Sequence, residues 1–159
     1  SAAFLPMMAD SERGLGRPEK ALEIAGSEDA AALDSSGKAE LLIVAAGAHN
    51  DLGDRAKALQ TLQVRALTSR RRVTWVARLR YAYADLLLED GRKDDAVEWF
   101  TRAAEADVDG ETDADDRLAE LAGVTVVVDT HTEDELEEFL PETFDDERDD
   151  EPSTGGQAD

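Results

Sequence analysis

A glycine followed five residues later by an alanine occurs three times at nearly constant spacing. Gly16 and Ala21 lie in GRPEKALEIA, Gly53 and Ala58 in GDRAKALQTL, and Gly91 and Ala96 in GRKDDAVEWFTRAA. The steps of 37 and 38 residues fall in the range that marks stacked helical units. Upstream of each glycine runs a segment of helical apolar period. It holds Leu79, Tyr83, Leu86 and Leu87 before Gly91, and Leu41, Leu42, Val44, Ala45 and Ala48 before Gly53. Before Gly16 a shorter version holds Phe4, Leu5, Met7 and Met8. Downstream, Ala96, Phe100 and Ala103 form a second stripe, matched by Ala58, Leu62 and Ala66. The glycine therefore has a task. It ends one helix in a left-handed conformation that costs a residue with a Cβ about 1 kcal/mol or more. Pro18 suits the first turn of the helix that follows. Ala21, Ala58 and Ala96 fall where the two helices cross, and Phe100 is expected to fill the groove between adjacent pairs more fully than Leu62 or Ala25. Each unit is expected to be a helical hairpin.

Composition narrows the class. The 159-residue chain has no Cys, which excludes disulfides and thiolate metal sites and fits a cytoplasmic setting. No apolar run approaches the ~18 residues a membrane span requires. The net charge of −21 divides unevenly. Residues 1–104 carry 15 Lys or Arg against 16 Asp or Glu, whereas residues 105–159 carry 2 against 22. The expected organisation is a helical repeat domain over 1–123 and an acidic, largely disordered tail over 124–159.

The unit resembles the tetratricopeptide repeat, a helix-turn-helix module. From Ala77 to Gly110, Gly91, Ala96, Phe100 and Ala103 occupy the family's Gly, Ala, aromatic and Ala positions, with Tyr83, Ala84 and Leu87 at its first-helix packing positions. The units at about 39–72 and 2–35 depart from the pattern. Arg65 replaces the last small residue, Ala25 replaces the aromatic, and the closing Pro is missing throughout. The whole is similar to the C-terminal part of bacterial repeat proteins of this family, which implies further repeats upstream of Ser1. The resemblance implies an all-α, right-handed α-solenoid of about three helical hairpins with a capping helix. A helical turn is expected at Glu28–Leu33 and a lengthened connection around Arg70–Arg72. Thr112 to Ala122 reads as the capping helix, with Thr112 as its N-cap and Leu118 and Leu121 closing the last repeat. VTVVVD (124–129) reads as a lone extended segment, Thr132–Glu135 as the start of a brief helix to Leu140, and the stretch beyond Pro141 as disordered.

The resemblance also implies a concave face lined by the first helix of each unit. Carried over, it comprises Glu40, Ile43, Gly47 and Asn50, and Arg78, Tyr81, Asp85, Leu88 and Glu89. The Lys-and-Asn clamp by which some members grip a terminal carboxylate is absent. A protein or peptide is the expected partner, without catalysis or cofactor. A homodimer through Phe4, Met7 and Met8 is a further expectation, since those side chains lack a covering neighbour if the solenoid continues upstream. The alternative is nucleic-acid or other polyanion binding through Arg55–Arg80, a stretch without an acid that holds Arg55, Lys57, Arg65, Arg70, Arg71, Arg72, Arg78 and Arg80. The acidic tail is expected to compete for that stretch. A second alternative is a metal-dependent enzyme using the loop Asp107–Asp116. That loop has Thr112 and Leu118 where a calcium loop needs Gly and a bidentate Glu, and so reads as a connection after the last repeat. Neither His49 nor His131 has a second His or a Cys at ligand spacing.

Overall fold

The computed structural model describes residues 1–123, which contain helices and no strand. The class is all-α. Seven α-helices follow in order: α1 Leu5–Gly14, α2 Pro18–Ala25, α3 Ser35–Asp51, α4 Arg55–Leu62, α5 Thr74–Glu89, α6 Lys93–Ala106 and α7 Ala114–Leu121. Helices α1 and α2, α3 and α4, and α5 and α6 pack as consecutive pairs. The first helices also pack on one another, α1 on α3 and α3 on α5, and α7 rests on α6. The expected segments at 124–129, 132–140 and beyond 141, and His131, lie outside the described residues.

The three turns are built alike. Gly16, Gly53 and Gly91 have φ of +76°, +84° and +78°, a region L side chains enter only at a cost. Each glycine N–H donates to the carbonyl three residues back, at Arg13, Asn50 and Leu88, at 3.0 Å. The next N–H reaches the carbonyl five residues back, at Glu12 (2.9 Å), His49 (3.0 Å) and Leu87 (2.9 Å). This pair of hydrogen bonds satisfies orphan carbonyls at the helix end. The second helices then start differently. Pro18 opens α2 at its first turn, and the Asp54 carboxylate caps α4 by accepting from the Lys57 N–H at 3.0 Å.

Ala21, Ala58 and Ala96 are fully buried, as a close helix crossing requires. The position four residues on is Ala25, Leu62 or Phe100. Phe100 and Leu62 are among the largest fully enclosed side chains, whereas Ala25 is half-buried. Around Phe100 the core is aromatic. Tyr81 meets it edge-on at 5.2 Å, and Tyr83 meets Trp99 at 5.1 Å. The core beneath the first pair is smaller and aliphatic, made of Leu5, Ala9, Ala21, Leu33, Leu41, Val44 and Ala48. In α1 the buried side chains are Leu5 and Ala9, one helical turn apart, while Phe4, Met7 and Met8 are 56%, 62% and 50% exposed.

Two expectations are corrected. The second helix of the middle unit does not continue to Ala66, although Ala66 still packs against the main core. Helix α4 ends at Leu62, Val64 is extended, and a 3-10 turn spans Arg65–Thr68. An arginine at the small-residue position cannot enter the helix crossing, so Arg65 is exposed and Leu67 becomes the buried residue there. Helix α7 starts at Ala114 with Asp113 at the cap position, so Thr112 lies one residue outside the cap, although its hydroxyl oxygen accepts from the Ala114 N–H at 3.4 Å. The Thr112 hydroxyl is engaged by Asp107, to whose carboxylate it donates at 2.6 Å. The turn expected at Glu28–Leu33 is a 3-10 helix over Glu28–Ala32, and residues 69–73 form the expected longer connection.

Candidate functional site

Because α1, α3 and α5 lie side by side, one face of each contributes to a common surface. Three adjoining clefts mark it. The first, about 420 Å³, is lined by Ile43, Arg78, Tyr81, Ala82, Glu111, Thr112 and Asp113. The second, about 480 Å³, is lined by Met7, Asp10, Arg13, Glu40 and Ile43 among others. The third, about 130 Å³, reaches Gly47, Asn50, Asp85 and Glu89. Ile43 borders all three. Leu88 turns instead toward the core around Phe100, where it is half-buried. Arg13, Asp10 and Ala82 share the surface without a signal in the sequence, and Met7, expected at a contact between two copies, lines it as well.

Most charges on this face are spent on one another. Arg13 donates to Asp51 through Nε at 2.6 Å and Nη2 at 3.3 Å. Asn50 donates to Glu89 at 2.7 Å. In both bonds a donor three residues before one turn glycine meets a carboxylate two residues before the next. Arg55 reinforces the second bond by donating to the Glu89 carbonyl at 2.9 Å. Arg78 forks onto Glu40, and residues 40 and 78 are likewise equivalent with respect to Gly53 and Gly91. The hydrogen bond to Glu40 holds the Arg78 guanidinium above its ordinary pKa despite partial burial.

Gly47 makes the Arg13 bond possible. A Cβ there would overlap the Arg13 guanidinium, which crosses α3 at this point on its way to Asp51. At the other end of the face, Arg117 on α7 donates to the Tyr81 hydroxyl at 3.0 Å and to Asp85 at 2.7 Å. Its guanidinium lies 4.9 Å from the Phe100 ring centroid. Burial pulls the Arg117 pKa down, but the bonds to Asp85 and Tyr81 outweigh it and the net direction is up. Burial also pushes the Tyr81 phenol up, with a hydrogen bond to Asp113 acting in the same direction.

The basic stretch divides. Arg80 is not part of an exposed patch, which corrects the sequence reading. It donates to the carbonyls of Leu67 (2.9 Å), Ser69 (2.5 Å) and Arg102 (2.9 Å). It thereby ties the connection that follows the shortened α4 to the last turns of α6. Burial, then the nearby Arg102 charge, lower its pKa. With Arg55 and Arg78 paired as well, the exposed residues that remain are Lys57, Arg65, Arg70, Arg71 and Arg72. Arg71 sits 6.0 Å from the Trp75 ring centroid, and Trp75 is itself half-buried.

The loop after α6 is organised by Asp107. Its carboxylate accepts from the Glu111 N–H (2.8 Å), the Thr112 N–H (2.8 Å) and the Thr112 hydroxyl. Burial raises the Asp107 pKa, but these bonds, with one from the Gly110 N–H, prevail and bring it below the ordinary value. The carboxylate thus folds the loop around itself. Among the described residues, no group of three His, Cys, Asp or Glu is arranged to hold a metal, and no helix is long and apolar enough to cross a membrane. No protein-family model matches the chain, and no curated protein matches it.

Proposed function

We propose that the protein is an interaction module of the tetratricopeptide-repeat type, a right-handed α-solenoid of three hairpins closed by α7, which binds a protein or peptide on the face of α1, α3 and α5. The repeat reading is supported by three turns with the same hydrogen bonds and by the Arg13–Asp51 and Asn50–Glu89 bonds, which use the same pair of positions at two successive junctions. A stack of such units presents a long surface that binds without needing chemistry of its own. The observation that carries the functional reading is the run of clefts around Ile43, in which apolar side chains lie between charges already paired to one another.

Placing a carboxylate on the cleft floor tests it. Ile43 is half-buried at the edge of the main core and away from the turns, so Ile43→Glu is used once circular dichroism shows an unchanged helical fold. A protein captured by the wild-type chain should be lost with Ile43→Glu and retained with Lys57→Glu on α4. Equal capture by both variants rejects the face as the binding surface. A second copy pairing through Phe4, Met7 and Met8 belongs to the same proposal, and Met8→Glu should then shift the sedimentation of a self-associated chain toward monomer.

A further inference from the structure

The residual charge of the clefts points to what they hold. Both arginines that line them are already neutralised, Arg13 by Asp51 and Arg78 by Glu40. Three lining carboxylates, Asp10, Glu111 and Asp113, form no salt bridge among the described residues. Glu111 and Asp113 sit on one rim of the 420 Å³ cleft, because Asp107 folds the loop so that both face the helices. The floor below them is Ile43, Tyr81 and Ala82. Among the described residues, a bound anion would meet two carboxylates that form no salt bridge and no unpaired cation, whereas a bound cation would meet its complement.

Resting on the interaction reading above, we propose that this cleft takes the cationic side chain of a peptide, Lys or Arg, with an apolar neighbour seated on Ile43 and Ala82. The apolar floor contributes affinity, and the two carboxylates select the sign of charge. An acidic peptide is thereby refused at the same surface.

The test is fluorescence polarisation of the full chain with short labelled peptides of alternating Lys and Leu, Lys and Ser, or Glu and Leu. Residues 124–159 are themselves acidic and will attract any cationic probe, so the control neutralises an equivalent pair there, Asp149→Asn with Asp150→Asn. Glu111 and Asp113 are exposed, and Asn at 113 keeps an acceptor for Tyr81, so the variant Glu111→Gln with Asp113→Asn should fold, as its circular dichroism will show. The expected result is Lys–Leu binding that weakens roughly three- to tenfold in the cleft variant, the effect of losing two exposed ion pairs. The tail variant should bind as the wild type does at moderate salt, where diffuse attraction is screened. Lys–Ser should bind less well than Lys–Leu, and Glu–Leu least of all. Equal affinity across the three proteins, or equal binding of Lys–Leu and Glu–Leu, overturns the inference. If Ile43→Glu still abolishes partner capture in that event, only the charge preference falls; if it does not, the interaction reading falls with it.

Discussion

The first and third helix pairs begin from the same turn and end in different interiors. Gly16 and Gly91 have φ of +76° and +78°, donate alike, and are followed by the fully buried Ala21 and Ala96. One helical turn later the chain places Ala25 in one case and Phe100 in the other. Around Phe100 an aromatic core forms with Tyr81, and α6 runs for 14 residues. Around Ala25 the helix ends after 8 residues, and an apolar groove of about 450 Å³ opens among Ala30, Leu41, Leu42 and Ala45. The local code for a turn and the side-chain volume that makes a core are thus separate properties. The first can be kept while the second is lost.

The largest effect should come from the interior. Phe100→Ala should destabilise the chain by about 3–5 kcal/mol, because the ring is wholly enclosed and a core relaxes only partly around a deleted side chain. Chemical denaturation measures this, and a loss below ~1.5 kcal/mol would mean that the third core is as loosely filled as the first. The turns should respond equally. Gly16→Ala and Gly91→Ala each place a Cβ in the left-handed region with open space around it, so each should cost about 1–2 kcal/mol from backbone strain alone. A difference greater than ~1 kcal/mol between them would tie turn strain to the core beneath.

Smaller changes sharpen the contrast further. Ala25→Leu installs the residue type found at the equivalent position 62, and each methylene it buries in the groove contributes up to about 0.8 kcal/mol. A gain of about 1 kcal/mol is expected, with slower amide exchange in α2; no gain would show that the groove does not accept the added volume. The loops that follow the two pairs differ too, since only the later one is wrapped around a carboxylate. A depressed native pKa means that the Asp107 contribution is present above the ordinary Asp value near 4 and is lost as pH falls below it. Asp107→Asn should therefore lower stability at neutral pH and leave it nearly unchanged in acid. A substitution with the same effect at both pH values contradicts this. The smallest expected change is at Gly47→Ala. Alanine favours the helix by about 1 kcal/mol, while displacement of Arg13 loses an exposed pair worth about 0–1 kcal/mol. Stability should stay level or rise slightly as the Arg13–Asp51 coupling in a double-mutant cycle vanishes.

What was legible in the sequence follows the same division. The turn glycines and crossing alanines could be read because each answers to a local constraint, backbone sign in one case and helix separation in the other. The second helix of the middle unit was misread past Leu62, since Ala66 keeps the apolar stripe while Arg65 beside it cannot be buried. Thr112 looked like a cap because a hydroxyl before a helix usually is one, but the competing acceptor, Asp107, is five residues away and needs the loop to be folded first. Arg80 looked like its neighbours Arg70 to Arg72. Only the packed arrangement of 65–69 against α6 brings the carbonyls of Leu67, Ser69 and Arg102 within reach of one guanidinium. On the candidate face, Gly47 could be placed but not explained, because the reason for it is an arginine from another unit. Arg117 was invisible for the same reason. Long side chains carry information between elements, and linear spacing does not record where they reach.

The bonds between successive units have a consequence for how such a chain can change in length. Position three before one turn glycine holds Arg13 or Asn50, and position two before the next holds Asp51 or Glu89. Either donor suits either carboxylate, so the junctions share one currency of hydrogen bonding. Excision of a whole period between the first and third units would bring Arg13 opposite Glu89, but it would also set Asp85 where Gly47 makes room for the arginine and Ala3 where Glu40 meets Arg78. Copy number can thus change in whole periods only where a glycine equivalent to Gly47 and a carboxylate equivalent to Glu40 are kept at the new seam. Leu88 stands where a third donor would be, and its apolar side chain faces inward rather than across. Extension beyond that point would require this residue to be rewritten first.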